Sequence, residues 1–389
     1  MSNDPGILFS AFEPSGDELA APLIKELRHR LPHRAIYALG GPRMHQAGAQ
    51  LIDCTTDNAV MGLGVATQVL RHRRIVNSLR RWMQSNQLAA VVPTDSPAAN
   101  WSICQLTRRY QPQARIFHLA APQLWAWGAW RINKLRRLTD HVLCLLPFEP
   151  EWFEFRGVPA SFVGHPLLNH ASQIARNISD LPHGEGPKLA LLPGSRDSEV
   201  RSNWPTILQA FIALKKEFPD LLAVAAASDE RRSDLMKRLC PGQKLPDGVS
   251  MLTRDADTAL HWSDLAVVVS GTATLQSAVL GKPMVVIYNV KWLLWHILGK
   301  WLVRIRTFSL PNLIAQYHDL GHIVPELVPN LHGCEPLINA IRSLIVESDL
   351  RSQQQDHFKR ILEQFKCTQY AESAAAIILN VIDPPALKQ

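Results

Sequence analysis

The sequence lacks the features that mark several large classes of protein. Its six cysteines are scattered along 389 residues, with no Cys-x-x-Cys pair and no histidine at zinc-ligand spacing, which argues against a disulfide framework and a metal site. The N-terminus enters an apolar segment without the basic start and cleavage site of a secretory signal. No Gly-x-Gly-x-x-Gly motif follows the first predicted strand, which argues against an NAD enzyme. These absences predict a cytoplasmic protein that needs no metal or cofactor.

The chain also lacks an uninterrupted apolar run long enough to span a membrane. The most apolar stretch, residues 284–303, is broken by Asn289, Lys291 and Lys300, whereas a spanning helix needs about 20 predominantly apolar residues. Hydrophobic residues make up 47% of the chain and charged residues 19%, which is a globular composition. We therefore expect a folded protein of sufficient length for two domains.

Short apolar segments alternate with helical stretches, the periodicity of parallel, doubly wound α/β sheets. One series of predicted strands covers residues 7–12, 35–39, 88–92, 115–119, 141–145 and 161–163, and a second covers 188–192, 221–226, 249–252, 265–269 and 283–288. We predict two Rossmann-like domains that face one cleft. The N-terminal domain is expected at 1–176, a linker at 177–187, the C-terminal domain at 188–334 and helices that cross back at 335–389.

Two predicted strands of the second half each run into a turn of small residues and then a helix. The turns read Leu-Pro-Gly-Ser-Arg at 192–196 and Ser-Gly-Thr at 270–272. A helix start has unpaired N–H groups and partial positive charge, and glycine lets the backbone approach an anion. Arg196 adds a fork of donors that suits a diphosphate. Ordinary strand-to-helix connections are the alternative, but two such turns favour a nucleotide or nucleotide-sugar site.

The N-terminal half supplies a candidate general base. Asp95 follows a predicted strand, so its carboxylate is expected at the carboxyl edge of the sheet, where it can accept a proton from a substrate hydroxyl. The alternative is that Asp95 caps the helix that starts near Pro97. In the first strand-to-helix turn, Ser15 is expected to cap the helix and Gly16 to admit a ligand. Glu13 is a carboxylate at the exit of the strand.

Other polar residues have simpler explanations. Asp17 lies in the first turn of a predicted helix, where the helix dipole favours an acid. Three histidines are weaker candidates for a base: His118, His141 and His165. Asp255-Ala-Asp257 matches the spacing that holds a divalent metal in some sugar transferases, but helix capping explains Asp257 and no metal is predicted.

Positive charge is concentrated in the first part of the chain. Residues 1–172 contain 18 Lys and Arg against 12 Asp and Glu, whereas the remainder has 23 against 22. Basic side chains attract anionic lipids and tryptophan prefers the headgroup depth, so we predict a membrane-facing surface. Its members are Arg71, Arg73, Arg74, Trp82 and Trp130, and residues 292–306 form a second candidate. A solvated helix face is the alternative; no nucleic-acid module is recognisable, so nucleic acid is not expected.

Taken together in chain order, these motifs resemble the lipid-A-disaccharide synthases, a GT-B glycosyltransferase family (family 19). The resemblance covers nearly the whole chain. Its motifs lie at 13–17, 41–44, 59–62, 125–127, 146–149, 163–165, 192–196, 270–273, 283–286 and 309–313.

The resemblance implies an inverting transfer of 2,3-diacylglucosamine from UDP to the 6-hydroxyl of 2,3-diacylglucosamine 1-phosphate, on the inner face of the cytoplasmic membrane. The products are a β-1,6-linked disaccharide and UDP. The catalytic base falls on Asp95. Residues implied on the acceptor side are Glu13, Ser15, Gly16, Asp17, Met61, Gly62, Asn100 and Trp125. Residues implied for the UDP-sugar are Gly194, Ser195, Arg196, Ser270, Gly271, Thr272, Gln276, Tyr288 and Asn312. The family also implies that the C-terminal helices either pack on the N-terminal domain or are exchanged in a homodimer.

The sequence departs from the family pattern at four positions. Phe12 replaces a small residue, Ala98 an acid, Asn289 a basic residue and Gln276 a glutamate. The glutamate matters most, because GT-B enzymes commonly use it to bind the hydroxyls of the nucleotide ribose. Two alternatives therefore stay open: a related GT-B transferase or UDP-sugar epimerase with another substrate, and a non-catalytic membrane-binding homologue.

Overall fold

The computed structural model describes residues 4–56, 65–120, 122–126, 128–170, 181–289, 307–330, 333–366 and 368–384. The chain divides into two compact units. The first comprises Met1–Pro166 and Phe365–Gln389, and the second comprises Leu167–Gln364. The predicted linker, 177–187, begins outside the described residues, so the predicted domain boundaries stay a prediction.

The first unit is built on a parallel sheet with strand order β3-β2-β1-β4-β5-β6-β7. Its strands are β1 Gly6–Ser10, β2 Ile36–Gly40, β3 Gln50–Cys54, β4 Leu88–Pro93, β5 Arg115–Leu119, β6 His141–Cys144 and β7 Ala160–Phe162. Its helices are α1 Pro14–Arg30, α2 Pro42–Gln46, α3 Val65–Ser85, α4 Pro97–Tyr110, α5 Ile132–Leu138 and α6 Glu149–Glu154, with a 3₁₀ turn at Ala129–Arg131. A short helix, α7 Pro166–His170, follows at the boundary between the units.

Helices cover both faces of this sheet because its central strands are apolar on both sides. All five residues of β1 are buried. Leu23 and Ile24 of α1 pack on one face, and Leu79 of α3 and Ile103 of α4 pack on the other. The C-terminal helix returns to this unit: Tyr370 is fully buried in the first core and its hydroxyl donates to the carbonyl of Leu19 at 2.6 Å.

The second unit repeats the plan, with strand order β10-β9-β8-β11-β12-β13, again parallel. Its strands are β8 Lys188–Leu192, β9 Leu222–Ala227, β10 Val249–Thr253, β11 Leu265–Val269, β12 Met284–Asn289 and β13 Glu326–Asn330. Its helices are α8 Asp197–Glu217, α9 Glu230–Arg238, α10 Ala256–Trp262, α11 Thr272–Val279, α12 Leu310–Gln316, α13 Glu335–Val346 and α14 Ser348–Leu362, with a 3₁₀ turn at Pro241–Gln243. The last helix of the chain, α15 Tyr370–Ile382, belongs to the first unit.

Both sheets reverse their strand order at one point, between β1 and β4 in the first unit and between β8 and β11 in the second. At such a point the loops that follow the two neighbouring strands diverge and leave a crevice at the carboxyl ends of the strands, where α/β proteins bind ligands. The turns concerned are residues 11–13 and 94–96 in the first unit, and 193–196 and 270–271 in the second. They contain Asp95 and the two turns of small residues that the sequence singled out.

Candidate functional site

Asp95 lies in a turn whose backbone is held in an unusual conformation. Asp95 and Ser96 have φ angles of 50° and 37°, the left-handed region that residues other than glycine seldom adopt. Strained residues of this kind concentrate at functional sites. Ser96, not Asp95, is the N-cap of α4, and α4 has no side-chain cap. The capping alternative for Asp95 is therefore wrong, and its carboxylate is available for another role.

Asn100 holds the Asp95 turn together. Its Nδ2 donates to the carbonyl oxygens of Thr94 at 3.1 Å and Asp95 at 2.7 Å, and its Oδ1 accepts from Ser10 Oγ at 2.7 Å. The side chain is completely buried. Because these bonds occupy both ends of its amide, Asn100 supports the turn from the interior. This placement favours a structural role over direct contact with the acceptor.

The first strand-to-helix turn lies against the Asp95 turn. Ser15 Oγ donates to Asp95 Oδ2 at 3.2 Å. The N-cap of α1 is Glu13, which makes no side-chain capping bond to the helix, so Ser15 is not the cap that was predicted. A Cβ on Gly16 would lie 2.9 Å from Ala11 Cβ and 3.4 Å from the carbonyl oxygen of Thr94. Gly16 therefore lets the two turns pack closely, and Ser15 orients the carboxylate.

Asp17 is committed to the backbone. Its carboxylate accepts the N–H groups of Gly41 at 2.8 Å, Arg43 at 3.0 Å and Met44 at 3.0 Å, and the residue is only 2% exposed. These groups open α2, where an anionic side chain is favourable. Asp17 therefore fixes the start of α2. Both of its carboxylate oxygens already accept backbone hydrogen bonds, which favours a structural role over contact with a ligand.

Trp125 contacts an acid that the sequence interpretation did not assign to the site. Its Nε1 donates to Glu149 Oε1 at 3.1 Å, and Glu149 Oε2 accepts the N–H groups of Leu145 and Leu146 at 3.2 and 3.0 Å. Burial raises the pKa of Glu149 to about 7, although these three bonds favour the ionised form. An acid in the motif at 146–149, at the start of α6, was the available signal.

The histidines considered as bases lie in the interior of the first unit. His118 and His165 are buried, and burial lowers the pKa of each to about 4, so both are neutral near pH 7. His141 is partly buried and its Nε2 lies 3.0 Å from Ser161 Oγ. Asp95 is thus better placed than these three for accepting a proton from a ligand.

In the second unit, the turn before α8 is already occupied by an acid. Glu199 Oε2 accepts the N–H groups of Ser195 at 3.0 Å and Arg196 at 3.2 Å. Gly194 has φ 110°, and a Cβ there would lie 2.6 Å from Glu199 Cβ. The sequence predicted that these two N–H groups would bind an anion of the ligand. In the structure they bind the carboxylate of Glu199 instead. The Arg196 side chain, 70% exposed with Nη1 3.4 Å from Glu199 Oε1, remains accessible.

The turn before α11 is open. Gly271 has φ 152° and a Cβ on it would meet nothing within 4 Å. Gly271 and Thr272 are both exposed, and α11 begins at Thr272 without a side-chain cap. Ser270 Oγ donates to the carbonyl of Phe308 at 2.8 Å and so fixes the turn. This helix start has the geometry that the sequence predicted for binding an anion.

The other residues predicted for the UDP-sugar differ in accessibility. Tyr288 is partly buried at the end of β12. Its pKa is raised by burial and by the nearby charge of Glu199, against the opposing effect of Arg196, which places it beside the α8 turn. Gln276 donates through Nε2 to Asp257 Oδ1. These side chains lie at the carboxyl edge of the second sheet.

Asn312 has a structural role instead. It is completely buried; its Nδ2 donates to Glu326 Oε1 at 2.7 Å and to the carbonyl of Val324 at 2.9 Å, and its Oδ1 accepts the N–H groups of Ile323 and Val324. Glu326 also accepts the N–H groups of Phe308 and Ser309. The motif at 309–313 therefore fixes the segment that supports Ser270, and Asn312 has no group left for a nucleotide.

The remaining departures from the family pattern have local explanations. Asn289 joins the end of β12 to α8: its N–H donates to Asn203 Oδ1 and its Nδ2 to Thr206 Oγ1, both at 2.7 Å. The ring centroid of Phe12 lies 5.2 Å from that of His72, and Ala98 is exposed. Of the other predicted residues, Met61, Gly62 and the segment 292–306 lie outside the described residues.

Of the residues predicted to face a membrane, three are exposed in the structure and two are partly buried. Arg73 and Arg74 are exposed on α3, and Trp130 is 65% exposed. Arg71 is partly buried and donates to the carbonyl of Cys54 at 2.7 Å. Trp82 packs edge-on against Tyr37, with ring centroids 4.6 Å apart, so most of it belongs to the core.

The chain matches known proteins along nearly its full length. The family model described as Lipid-A-disaccharide synthetase matches residues 7–379. This chain belongs to the lipid-A-disaccharide synthetase family. Among relatives named lipid-A-disaccharide synthase, that of Alcanivorax borkumensis is 32% identical over 96% of this chain and 97% of its own. That of Xylella fastidiosa strain M12 is 36% identical over 84% of this chain and 86% of its own.

Solved structures share the fold of this member of the synthetase family. The S. aureus MnaA–UDP co-structure has a TM-score of 0.68 at 13% identity and covers 99% of both chains. The structure of CalG4, the calicheamicin glycosyltransferase, has a TM-score of 0.60 at 16% identity and covers 99% of this chain and 100% of its own. The predicted fold class, two Rossmann-like α/β units of the GT-B type, is confirmed. Membership of the synthetase family makes the chain a glycosyltransferase of lipid A biosynthesis.

Proposed function

We propose that the protein transfers 2,3-diacylglucosamine from UDP to the 6-hydroxyl of 2,3-diacylglucosamine 1-phosphate, with inversion at the anomeric carbon. The acceptor oxygen forms the new bond to that carbon while the bond to the diphosphate breaks, and UDP leaves with the bonding electron pair. The hydroxyl proton passes to a base of the protein. The products are the β-1,6-linked disaccharide and UDP.

The observation that carries this proposal is the strained turn that presents Asp95 at the β1/β4 switch point. Asn100 fixes the backbone of the turn from beneath, and Ser15 Oγ donates to Oδ2 of Asp95. Oδ1 is then the oxygen that faces the acceptor hydroxyl and accepts its proton. A base fixed in this way loses little freedom when it reacts, which is a recognised contribution to catalysis.

We infer that the diphosphate of the donor binds at the second unit. The open start of α11 at Gly271 and Thr272 supplies N–H groups and partial positive charge. The exposed guanidinium of Arg196 supplies a second set of donors. Both stabilise the negative charge that develops on the leaving UDP. MnaA of S. aureus, which shares this fold, forms a co-structure with UDP, and a uridine nucleotide on the present chain agrees with that likeness.

The lipid substrates require a membrane, and we propose that the protein works at the anionic inner surface of the cytoplasmic membrane as a peripheral protein. Among the helices of the described ranges, none is both long and apolar enough to cross a bilayer. On α3, Val69 and Leu70 are 46% and 55% exposed beside Arg73 and Arg74. Exposed apolar and basic side chains on one helix favour adsorption to anionic lipid. In the structure, α15 packs on the first unit of its own chain. A homodimer in which the C-terminal helices are exchanged stays a prediction.

The test is a reconstitution with the two purified lipid substrates in mixed micelles. We expect release of one UDP per disaccharide, with a β linkage seen by NMR of the product. Replacing the acceptor by an analogue without the 6-hydroxyl controls for simple hydrolysis of the donor. Failure to form a disaccharide, with UDP still bound, would redirect the proposal to another acceptor; formation of an α linkage would exclude the single displacement.

A further inference from the structure

The motif Gly-Pro-Arg-Met at residues 41–44 contains one side chain that the fold does not explain. Asp17 accepts three backbone N–H groups of this motif. The side chain of Met44 is completely buried in the first core, and the position of Gly41 leaves no room for a Cβ. The side chain of Arg43, in contrast, is 62% exposed. Packing therefore accounts for the motif except for the guanidinium of Arg43.

Arg43 lies beside the part of α1 that contacts Asp95. Arg43 Nη2 is 3.7 Å from Glu18 Oε1. Ser15 and Glu18 are both exposed, and they are three residues apart on α1, so their Cβ atoms are separated by about 5–6 Å. Ser15 Oγ in turn donates to Asp95 Oδ2 at 3.2 Å. The guanidinium of Arg43 and the carboxylate of Asp95 therefore lie at the two ends of a short exposed strip of α1, which runs from Ser15 to Glu18.

The sheet of the first unit explains this arrangement. β1 pairs with β2 on one side and with β4 on the other. The turns that follow these three strands carry the start of α1, the motif at 41–44 and Asp95, so all three lie at one edge of the sheet. The carboxyl edge of a parallel sheet is where α/β proteins bind their ligands.

The contact between Arg43 and Glu18 is a weak one. Both side chains are mostly exposed and their charged atoms are not within hydrogen-bond distance, and exposed ion pairs of this kind stabilise a protein little. A phosphate monoester carries more negative charge than a carboxylate and accepts two parallel hydrogen bonds from a guanidinium. A phosphate group can therefore replace Glu18 as the partner of Arg43.

We propose that Arg43 binds the 1-phosphate of the acceptor while the 6-hydroxyl of the same sugar contacts Asp95. The phosphate and this hydroxyl lie at opposite ends of one hexose, as Arg43 and Asp95 lie at opposite ends of the exposed strip of α1. This inference rests on the proposed function, because it takes the acceptor to be a hexosamine 1-phosphate that reacts through its 6-hydroxyl. Arg43 then selects a phosphorylated acceptor, and Glu18 is the group that the phosphate displaces.

The first experiment compares two acceptors, 2,3-diacylglucosamine 1-phosphate and the same lipid without its phosphate, in micelles of a neutral detergent. We expect the full chain to prefer the phosphorylated acceptor by about 10- to 100-fold in kcat/KM, the effect of charge-assisted hydrogen bonds. In Arg43→Ala this preference should disappear, because KM for the phosphorylated acceptor rises by about the same factor. Loss of the phosphate and loss of Arg43 remove one and the same interaction, so their effects should not add.

Three further variants sharpen the test. Arg43→Lys keeps the charge without the planar fork and should retain part of the preference. Glu18→Gln removes the competing carboxylate, so we expect the opposite change, a KM for the phosphorylated acceptor that is lower by about twofold. Arg109→Ala is the matched control. Arg109 is exposed in the last turn of α4, away from the helix start that follows the Asp95 turn, and its loss should leave both acceptors unaffected.

The outcomes separate this inference from the proposed function. If neither acceptor yields a disaccharide, the proposed function fails. If a disaccharide forms and Arg43→Ala keeps the full preference for the phosphorylated acceptor, the phosphate binds elsewhere and only the inference is wrong. Equal losses with both acceptors would also overturn it, since they would assign Arg43 to the shape of the turn. A loss that appears on anionic vesicles and not in neutral micelles would assign Arg43 to lipid headgroups instead.

Discussion

The two switch points share a topology and expose opposite chemistry. At the β1/β4 point, the backbone groups of the Asp95 turn are bound by Asn100, and the group presented outward is a carboxylate. At the β8/β11 point, the groups presented outward are the open N–H groups of α11 and the guanidinium of Arg196. In the proposed reaction, the first accepts a proton and the second stabilises negative charge. Glycosyl transfer to a hydroxyl needs one of each.

A second contrast concerns two acids that make the same contact. Glu149 and Glu199 each accept a pair of successive backbone N–H groups at a turn. Glu149 is 3% exposed and bonds to Trp125, whereas Glu199 is 12% exposed by side chain and pairs with Arg196. The same local motif thus stabilises the interior of one unit and shapes the edge of the other. Accessibility decides which of the two influences a ligand.

Loss of Asp95 is the largest expected effect. Asp95→Asn keeps the size of the side chain and removes the base, so we expect turnover to fall about 10³-fold, within the usual range for a general base. Affinity for UDP should not change, because UDP is assigned to the other unit. Initial rates of UDP release and calorimetry with UDP measure the two quantities. A variant with near-normal turnover would exclude Asp95 as the base and remove the contrast between the switch points.

Glu149 predicts a pH dependence of stability. Its pKa is about 7 in the folded chain against an ordinary value of 4.5, so between these values the folded state holds a proton that the unfolded state has released. The contribution of Glu149 to the free energy of unfolding is therefore fully present below about pH 4.5 and is lost as pH rises through 7, on the order of a few kcal/mol. Glu149→Gln should remove this loss.

The measurement is the difference between the full chain and Glu149→Gln in urea unfolding from pH 5 to 8. Taking the difference matters because His118 and His165, with pKa values lowered to about 4 by burial, make stability fall as pH drops below about 6.5. That effect is common to both proteins and cancels. If the free energies of unfolding of the two proteins change in parallel from pH 5 to 8, ionisation of Glu149 does not destabilise the folded chain and the prediction is wrong.

The apolar centre of the fold was predictable from the sequence, whereas one edge strand of each sheet was not. The predicted strand at 265–269 coincides with β11, all of whose residues are buried, because a strand covered on both faces must be apolar throughout. The edge strands β3 and β13 were missed. β3 contains exposed and partly exposed positions only, and β13 contains a single buried residue, so neither produces an apolar run.

The candidate site divides in a similar way. Asp95 and Gly271 were predictable because residues at strand ends share one edge of a parallel sheet. The hydrogen-bond partners were not, because they depend on which elements meet in three dimensions. Gln276, for example, reaches Asp257 on a different helix, α10. The contact of Glu199 with the turn before α8 is different, because it is local and belongs to a capping box at the start of its own helix. The cap of α10 was displaced by two residues, from Asp257 to Asp255, within the usual uncertainty of a helix start.

Arg196 tests the second switch point. Arg196→Ala removes charge-assisted donors from the diphosphate, and we expect the affinity for UDP to fall by about 10- to 30-fold. Arg196→Lys keeps the charge but not the planar fork, so it should recover only part of this loss. Calorimetry with UDP is the measurement, and Arg231→Ala, an exposed arginine paired with Asp197, is the control. Unchanged affinity in Arg196→Ala would leave the α11 start as the main phosphate site.

Ser15 provides the finest test of the comparison. Its hydroxyl donates to Asp95 Oδ2 and, as a positioning residue, should lower turnover about fivefold when removed in Ser15→Ala, the value of one exposed hydrogen bond. Affinity for UDP should stay unchanged, because UDP is assigned to the other unit. Ser15→Thr keeps the hydroxyl and should restore turnover. A rate that Ser15→Thr does not restore would mean that Ser15 supports the packing of the turns without acting on the base.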